Sequence, residues 1–231
     1  MDIYFLTGRL VEPKNKVIVR DDHLGCQLHA DLVEPVRELQ QKATNDEQCL
    51  EVASGYRDFS RQLTIWNEKV SGKRTIFDSQ GQALNTEALS EWEIIQAILR
   101  WSALPGASRH HWGTDLDVYN PRCLPDGYQL QLTVDEYEHG KLQPFNQWLS
   151  NVVQTPECLF YRPYYRPESF TRNDGVAPEP WHLSYRPLAQ NFQQQLSPQV
   201  LAEALEQADM SLKSSVLEHL DEIFDRFVRV D

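Results

Sequence analysis

The stretch PGASRHHWGTDLDVY at residues 105–119 constrains this chain more than any other part of its sequence. Its first two residues, a proline and a glycine, end any helix that precedes it. After Gly113 the run TDLDVY alternates as a strand does, so Asp115 and Asp117 share one face. His110 lies on the turn that enters this strand. The stretch therefore concentrates titrating and metal-binding side chain types in one place.

A second short stretch, PEPWHLSY at 178–185, supplies Glu179 and His182. Prolines on both sides of Glu179 disfavour a helix there, and the following WHLSY alternates like a short strand. Two such strands side by side would bring His110, one aspartate and His182 around a single ion. Two histidines, one carboxylate and a spare glutamate are the minimal set for a catalytic zinc site, which keeps one position for water.

Three motifs together carry a family resemblance. They are Ser108-x-His110-x-x-Gly113-x-x-x-Asp117, then Glu179-x-x-His182, and, earlier in the chain, SGYRDFSRQ at 54–62. In order and spacing they resemble the zinc D-alanyl-D-alanine carboxypeptidases of the VanY type, which are related to the lysostaphin-like endopeptidases and to the Hedgehog signalling domain. The resemblance spans roughly residues 28–187.

The resemblance implies a role for each motif residue. The expected ligands of one zinc ion are His110, Asp117 and His182. Glu179 is expected to act first as general base and then as general acid, taking a proton from the water that the metal activates and passing it to the leaving amine. Arg57 is expected to hold a substrate carboxylate or the oxyanion of a tetrahedral intermediate.

Further residues in and beside the motifs are candidate substrate contacts. Gln62 matches a substrate contact of the family, and Ser108, Trp181 and Tyr185 are candidate pocket residues. We do not expect Ser108 to be a nucleophile, because nothing pairs it with a base other than the neighbouring metal ligands. His111 is expected to have a structural role or to support the ligands beside it.

One position departs from the family pattern. The family usually has alanine where this chain has Asp115. Strand alternation points Asp115 to the same face as Asp117. Three roles remain open from the sequence: an acid that supports the ligands, an alternative ligand, or a solvated residue.

The pattern of elements predicts an α+β fold in a single domain over residues 1–231. The resemblance implies a small, mainly antiparallel sheet that carries the metal, with helices on its other face. The helices at 197–228 are expected to be an appendage to the family-like core. Apolar spacing predicts helices at 29–43, 59–70, 91–104, about 134–153 with a kink at Pro144, 198–207 and about 211–228.

Local signals place the ends of these helices and the segments between them. Asp58, Ser90 and Ser197 are predicted N-caps, with Glu93 completing a capping box after Ser90. KVIVRD and CLEVASGY are predicted strands. The polar, glycine-punctuated segment at 71–90 is predicted to be a long surface loop that could cover the cleft.

Composition narrows the partners and the compartment. A net charge of −12 argues against nucleic acid or an anionic membrane surface as a partner. No secretory signal and no membrane-spanning run of about 18 apolar residues is visible, which favours the cytoplasm, or the periplasm if the natural start differs. The four cysteines are expected to be free thiols, with one disulfide as the alternative.

These observations predict a zinc metallopeptidase that acts on a peptidoglycan stem peptide or a muropeptide fragment. A carboxypeptidase of D,D or L,D specificity is favoured, because Arg57 and Gln62 could hold a terminal carboxylate. The alternatives are a peptidoglycan endopeptidase and a non-catalytic, zinc-stabilised binding module. The binding module would gain if Asp115 filled the fourth metal position. The sequence leaves the oligomeric state open.

Overall fold

The computed structural model describes residues 3–10, 17–165 and 174–230, and it has the predicted α+β fold. Two antiparallel sheets are present in these residues. The smaller sheet is a hairpin of β1 (Ile18–Asp21) and β2 (Cys26–His29). The KVIVRD strand is therefore confirmed, although its pairing with β2 was not predicted.

The larger sheet carries both motif strands at its centre. Its strands run in the order β3-β4-β6-β5, and every neighbouring pair is antiparallel. The strands are β3 (Glu51–Ser54), β4 (Asp115–Tyr119), β5 (Phe160–Tyr161) and β6 (His182–Tyr185). In the β4–β6 pair, Asp117 lies directly opposite His182. The two alternating runs of the sequence are thus neighbours, as predicted.

Helices flank both sheets and make up most of the regular structure. They are α1 (Ile3–Leu6), α2 (Val33–Asn45), α3 (Phe59–Val70), α4 (Glu91–Trp101), α5 (Val134–Glu138), α6 (Gln143–Val153), α7 (Arg186–Gln195), α8 (Pro198–Glu206), α9 (Lys213–Glu218) and α10 (Leu220–Ile223). A π-helical turn, Phe224–Val228, follows α10.

The predicted caps are confirmed. The Asp58 carboxylate accepts a hydrogen bond from the Arg61 N–H at the start of α3. Ser90 and Glu93 form the reciprocal capping box that begins α4. Ser197 accepts from the Val200 N–H at the start of α8. Each cap satisfies a backbone donor that the first helical turn leaves without an intrahelical partner.

Several helix predictions differ from the structure. The helix predicted at about 211–228 is divided into α9, α10 and the π-helical turn, and the one predicted at 29–43 begins as a 3-10 turn, Ala30–Leu32, before α2. The kinked helix at 134–153 is in fact two helices, because the chain turns at Gly140 and Pro144 then lies in the first turn of α6, where a missing N–H costs nothing. Helix α4 ends at Trp101, before the predicted end at residue 104. Helix α7, which follows β6 directly and has a proline in its first turn, was not predicted.

The C-terminal helices pack against α3 and α4. Leu205 of α8 and Ile223 of α10 belong to the same buried apolar cluster as Trp66 of α3 and Ile98 of α4. The Trp66 indole N–H also donates to the Ser211 carbonyl at 2.9 Å. Burial of large apolar side chains on both partners makes this contact part of the core.

The sequence also led to expectations about disulfide bonds and membrane-spanning helices. Cys26, Cys49, Cys123 and Cys158 are all free and half-buried, so the disulfide alternative is not realised. Among the described residues, no helix combines the length and the apolar character that crossing a bilayer requires.

Candidate metal centre and its cavity

Three side chains converge into a cluster that could hold one metal ion. His110, Asp117 and His182 each offer a ligand atom, and these atoms all lie within 4.8 Å of one another. His110 Nε2 is 3.4 Å from Asp117 Oδ2, and His182 Nδ1 is 3.3 Å from Asp117 Oδ1. All three side chains are buried. We call these three residues the ligand cluster.

Backbone geometry explains how the chain brings His110 to this cluster. His110 lies on the 3-10 turn Arg109–Trp112, and Gly113 then reverses into β4 with a left-handed φ of 67°. A Cβ at Gly113 would lie 2.7 Å from the His29 nitrogen, whose N–H donates to the Gly113 carbonyl. Only glycine fits both the dihedral angle and the close approach.

The outer ring nitrogens of the two histidines are held by different partners. His110 Nδ1 lies 2.9 Å from the carbonyl oxygen of Gly55, the second residue of the SGYR segment. His182 Nε2 lies 2.9 Å from Asp115 Oδ1. In each case the outer nitrogen can donate, so the other nitrogen turns a lone pair towards the cluster.

Asp115 is buried and bonded inside the protein. It is 0 % exposed and therefore not solvated. Its carboxylate accepts from Arg109 Nε at 2.8 Å and from Thr114 Oγ1 at 2.7 Å, in addition to its contact with His182. It meets the far side of the His182 ring and lies outside the ligand cluster.

The charges of the cluster fit a bound cation. Burial would raise the pKa of Asp117, but His110 and His182 hold it well below its usual range. Burial would lower the pKa of His182, but hydrogen bonds to Asp115, Asp117 and Glu179 raise it well above its usual value. Among the described residues, Asp117 Oδ1 is buried without a hydrogen-bond partner. Two imidazoles and a carboxylate with a free oxygen are donors that suit zinc.

Glu179 lies beside the ligand cluster on the loop before β6. Its Oε2 is 3.2 Å from His182 Nδ1. Its backbone N–H donates to the Tyr164 carbonyl, and the next carbonyl, that of Pro180, accepts from the buried Arg162 guanidinium. The loop is therefore fixed on both sides of the glutamate, and the carboxylate is 17 % exposed on the cavity side.

Arg57 lines the same cavity, and two neighbouring side chains hold its guanidinium. Its Nη1 donates to Gln62 Oε1 at 2.9 Å and its Nη2 donates to Ser54 Oγ at 3.3 Å. Burial lowers the pKa of Arg57, whereas the negative charges of Asp117 and Glu179 raise it. The guanidinium is thus oriented in a partly desolvated site beside the ligand cluster.

Gln62 occupies a different place from the expected substrate contact. It is 0 % exposed, and its amide nitrogen donates to the Ala103 carbonyl at 2.7 Å. It does not line the cavity. Both ends of its amide are bonded inside the protein, and its oxygen accepts from the Arg57 guanidinium.

His111 has a structural position. It is fully buried, with Nδ1 2.6 Å from the Arg57 carbonyl oxygen and Nε2 accepting from the Gly106 N–H at 3.1 Å. This arrangement needs a neutral ring with the proton on Nδ1. Burial lowers the pKa of His111 to about 3, which is consistent with that neutral form.

The ligand cluster opens into a cavity of about 620 Å³, a volume within the range of small-ligand sites. Of the three candidate pocket residues, Ser108 and Trp181 line it. Tyr185 does not: it lies at the other end of β6, and its ring packs on Phe160 with the centroids 5.6 Å apart.

The sequence did not predict most of the residues that line the cavity wall. The segment at 71–90 does reach the cleft, as a small hairpin over residues 76–84 in which Phe77 pairs with Ala83. We call residues 76–84 the cavity hairpin. Other wall residues are Tyr164, Leu132 and Phe227, from three remote parts of the chain. The glycine-punctuated sequence indicated a loop over the cleft at this place, but no local signal marked Phe227 as a cavity residue.

Comparisons with known proteins agree with this geometry. The family described as VanY, D-alanyl-D-alanine carboxypeptidase, matches residues 25–188. An uncharacterised protein of Haemophilus influenzae is 36 % identical over 126 residues, which is 54 % of this chain and 92 % of that protein.

Solved structures match the fold. VanYB in complex with D-alanine-D-alanine aligns with a TM-score of 0.51 and 21 % identity, covering 86 % of this chain and 93 % of that one. A mutant of the VanY D,D-pentapeptidase in complex with Zn(II) aligns with a TM-score of 0.50 and 22 % identity, covering 83 % and 93 %. Because the family match covers most of the chain, including all three motifs, this protein belongs to the VanY D-alanyl-D-alanine carboxypeptidase family.

Proposed function

We propose that this protein is a zinc-dependent carboxypeptidase that removes the terminal residue from peptidoglycan stem peptides or muropeptide fragments. One observation carries the proposal: a guanidinium, a second carboxylate and the ligand cluster all face one cavity. Arg57 and Glu179 are the first two of these groups. Family membership and the solved neighbours, which were captured with D-alanine-D-alanine and with Zn(II), support the same activity.

His110, Asp117 and His182 would hold the metal ion. When bound there, zinc supplies Lewis-acid chemistry, polarising the scissile carbonyl and lowering the pKa of a water molecule. Glu179, beside the cluster at His182, would take the proton of the attacking water and return it to the leaving amine. Its fixed loop supports this role, because proton transfer requires the carboxylate within hydrogen-bond reach.

Arg57 would decide which end of the peptide enters. A guanidinium that is held by Gln62 and Ser54 offers its remaining N–H groups to a planar anion such as a terminal carboxylate. A bond inside a linear peptide chain has no terminal carboxylate next to it, so this group favours a carboxypeptidase.

The non-catalytic binding module is less consistent with the site. A purely structural zinc site usually closes all four positions with protein ligands. Asp115, the further carboxylate on the same strand face, is paired with Arg109 and meets the outer nitrogen of His182. Its position supports an open fourth site, which catalysis needs.

Hydrolysis of defined muropeptides by zinc-loaded protein tests the proposal. Stems of four and five residues would be incubated with the wild type and with Glu179→Gln, and the products would be read by mass. We expect release of one terminal alanine, from the pentapeptide for a D,D enzyme or from the tetrapeptide for an L,D enzyme. Glu179→Gln should lower kcat by about 10²–10⁴ and still bind zinc.

Glu157→Gln is the matched control, because Glu157 is exposed and lies outside the cavity lining. It should cleave at the wild-type rate. Cleavage at an internal bond would instead establish an endopeptidase. No cleavage of any stem by protein with stoichiometric zinc would overturn the proposed activity and favour the binding module.

A further inference from the structure

We propose that Asp115, held by Arg109, is a positioning residue that fixes the His182 ring for metal binding and so raises the affinity of this site for a divalent cation. The inference rests on the metal site of the proposed function. It gives a role to the buried ion pair of Arg109 and Asp115. The aspartate of this pair stands where the motif that this chain resembles usually has alanine.

Both oxygens of the Asp115 carboxylate are hydrogen-bonded, and one of them meets the His182 ring. Oδ1 lies 2.9 Å from His182 Nε2 and also accepts from Arg109 Nε at 2.8 Å. Oδ2 accepts from Thr114 Oγ1 at 2.7 Å. Since His182 Nδ1 faces Asp117, a proton on Nε2 is the arrangement that leaves Nδ1 free for a metal.

Arg109 is itself fixed from three elements of the fold. Its Nη2 donates to Ser184 Oγ on β6 at 2.6 Å and to the Tyr161 hydroxyl on β5 at 2.8 Å. Its Nη1 donates to Gln193 Oε1 on α7 at 2.9 Å. Arg109 is 2 % exposed. A buried guanidinium that makes four hydrogen bonds has little freedom, so the carboxylate it holds has little freedom too.

The two histidine ligands are therefore supported unequally. His110 is held by a neutral carbonyl, that of Gly55, whereas His182 is held by a charged carboxylate. Hydrogen bonds to a charged acceptor are stronger than those between neutral groups, and a carboxylate makes the imidazole a better donor to the metal. Loss of such a partner typically lowers metal affinity by about 10–100-fold.

A purely structural explanation has to be separated from this one. Asp115 also neutralises Arg109, and removal of one member of a buried ion pair strands the other charge. Asp115→Asn alone could therefore weaken zinc binding by disturbing the fold. The double variant Arg109→Gln with Asp115→Asn removes both charges, so no unpaired charge remains buried.

The test is the dissociation constant for zinc, measured by competition with a chromophoric chelator in the absence of any substrate. We expect a loss of about 10–100-fold in Asp115→Asn and a loss of similar size in the double variant. Asp21→Asn is the matched control, because Asp21 also pairs with an arginine, Arg37, at 2.8 Å but belongs to the hairpin sheet. It should bind zinc as the wild type does.

A second readout reports on the ring directly. In zinc-loaded wild type, the His182 Nε2–H proton should give a downfield, slowly exchanging NMR resonance, which should shift or vanish in the double variant. Wild-type zinc affinity in the double variant would overturn this inference alone, even if stem peptides are cleaved. Failure of the wild type to bind zinc would overturn both this inference and the proposed function, whereas zinc binding without cleavage would overturn only the latter.

Discussion

The ligand cluster and the cavity wall lie side by side but are built in opposite ways. The cluster comes from two paired strands and one tight turn, and its side chains are only 4–7 % exposed. The wall comes from loops and helix ends spread across the chain, and Phe77 within it is 38 % exposed. Strand register therefore positions the ligand cluster, whereas tertiary packing of segments from across the chain shapes the cavity wall.

If this contrast is correct, substitutions should lose their effect as they move from the cluster to the wall. The ligand cluster should tolerate no change. Arg57, which is buried but faces the cavity, should show an intermediate effect that depends on the substrate. The cavity hairpin should show the smallest effect.

The largest effect is expected for Asp117→Ala. The variant removes a ligand and leaves two buried histidines without their shared carboxylate. Activity should fall by roughly a thousandfold or more, because the metal contributes several kcal/mol of charge stabilisation. Stoichiometric zinc binding, measured on the purified protein by metal analysis, should also be lost. Retention of both would mean that Asp117 is not a ligand and that the contrast fails at its first step.

Arg57→Gln should have the intermediate effect. Hydrogen bonds to a charged group contribute about 1.5–3 kcal/mol, so kcat/KM on a stem with a free carboxyl end should fall by about 10–100-fold. The same stem with an amidated end should lose much less, because it lacks the anion. Steady-state kinetics on this substrate pair make the measurement.

Gln62→Leu provides the control for Arg57. It removes the acceptor of the Arg57 Nη1 bond without changing the cavity lining. Gln62 acts only through the orientation of Arg57, which keeps its hydrogen bond to Ser54. A smaller fall of about fivefold, equivalent to about 1 kcal/mol, is therefore expected in the same substrate-dependent direction. Equal losses on the free and amidated stems, in either variant, would refute the carboxylate-binding role.

The smallest effect is expected for Phe77→Ser on the cavity hairpin. Phe77 is partly exposed, so the change removes little buried area and should alter kcat/KM by less than about threefold. Leu159→Ser is the control, since Leu159 is 43 % exposed and lies outside the cavity lining. A large loss for Phe77→Ser with intact folding would show that the hairpin closes on the substrate as a true lid.

The same contrast explains which features the sequence could predict. Alternation over 115–119 and 182–185 is a local signal, and it predicted the strands that bring Asp117 and His182 together. Capping residues such as Asp58 are equally local. These signals depend only on neighbouring residues, which is why they are readable without a structure.

The remaining features depend on contacts that local sequence does not encode. Gln62 was expected to touch the substrate, but packing of α3 against residues 102–103 buries it under Arg57. The role of Asp115 stayed open because its partner, Arg109, precedes it on a turn whose direction is set by Gly113. Pro144 fits either a kink or a helix start, and only the fold decides between them.

Phe227 lies far along the chain from the ligands that share its cavity. During synthesis, His182 leaves the ribosome before Phe227, by a few seconds at about 5–20 residues per second. A nascent chain can therefore pair β4 with β6 and bring the ligand cluster together before Phe227 completes the cavity wall. The order of translation thus separates the pairing of the two cluster strands from the completion of the cavity wall.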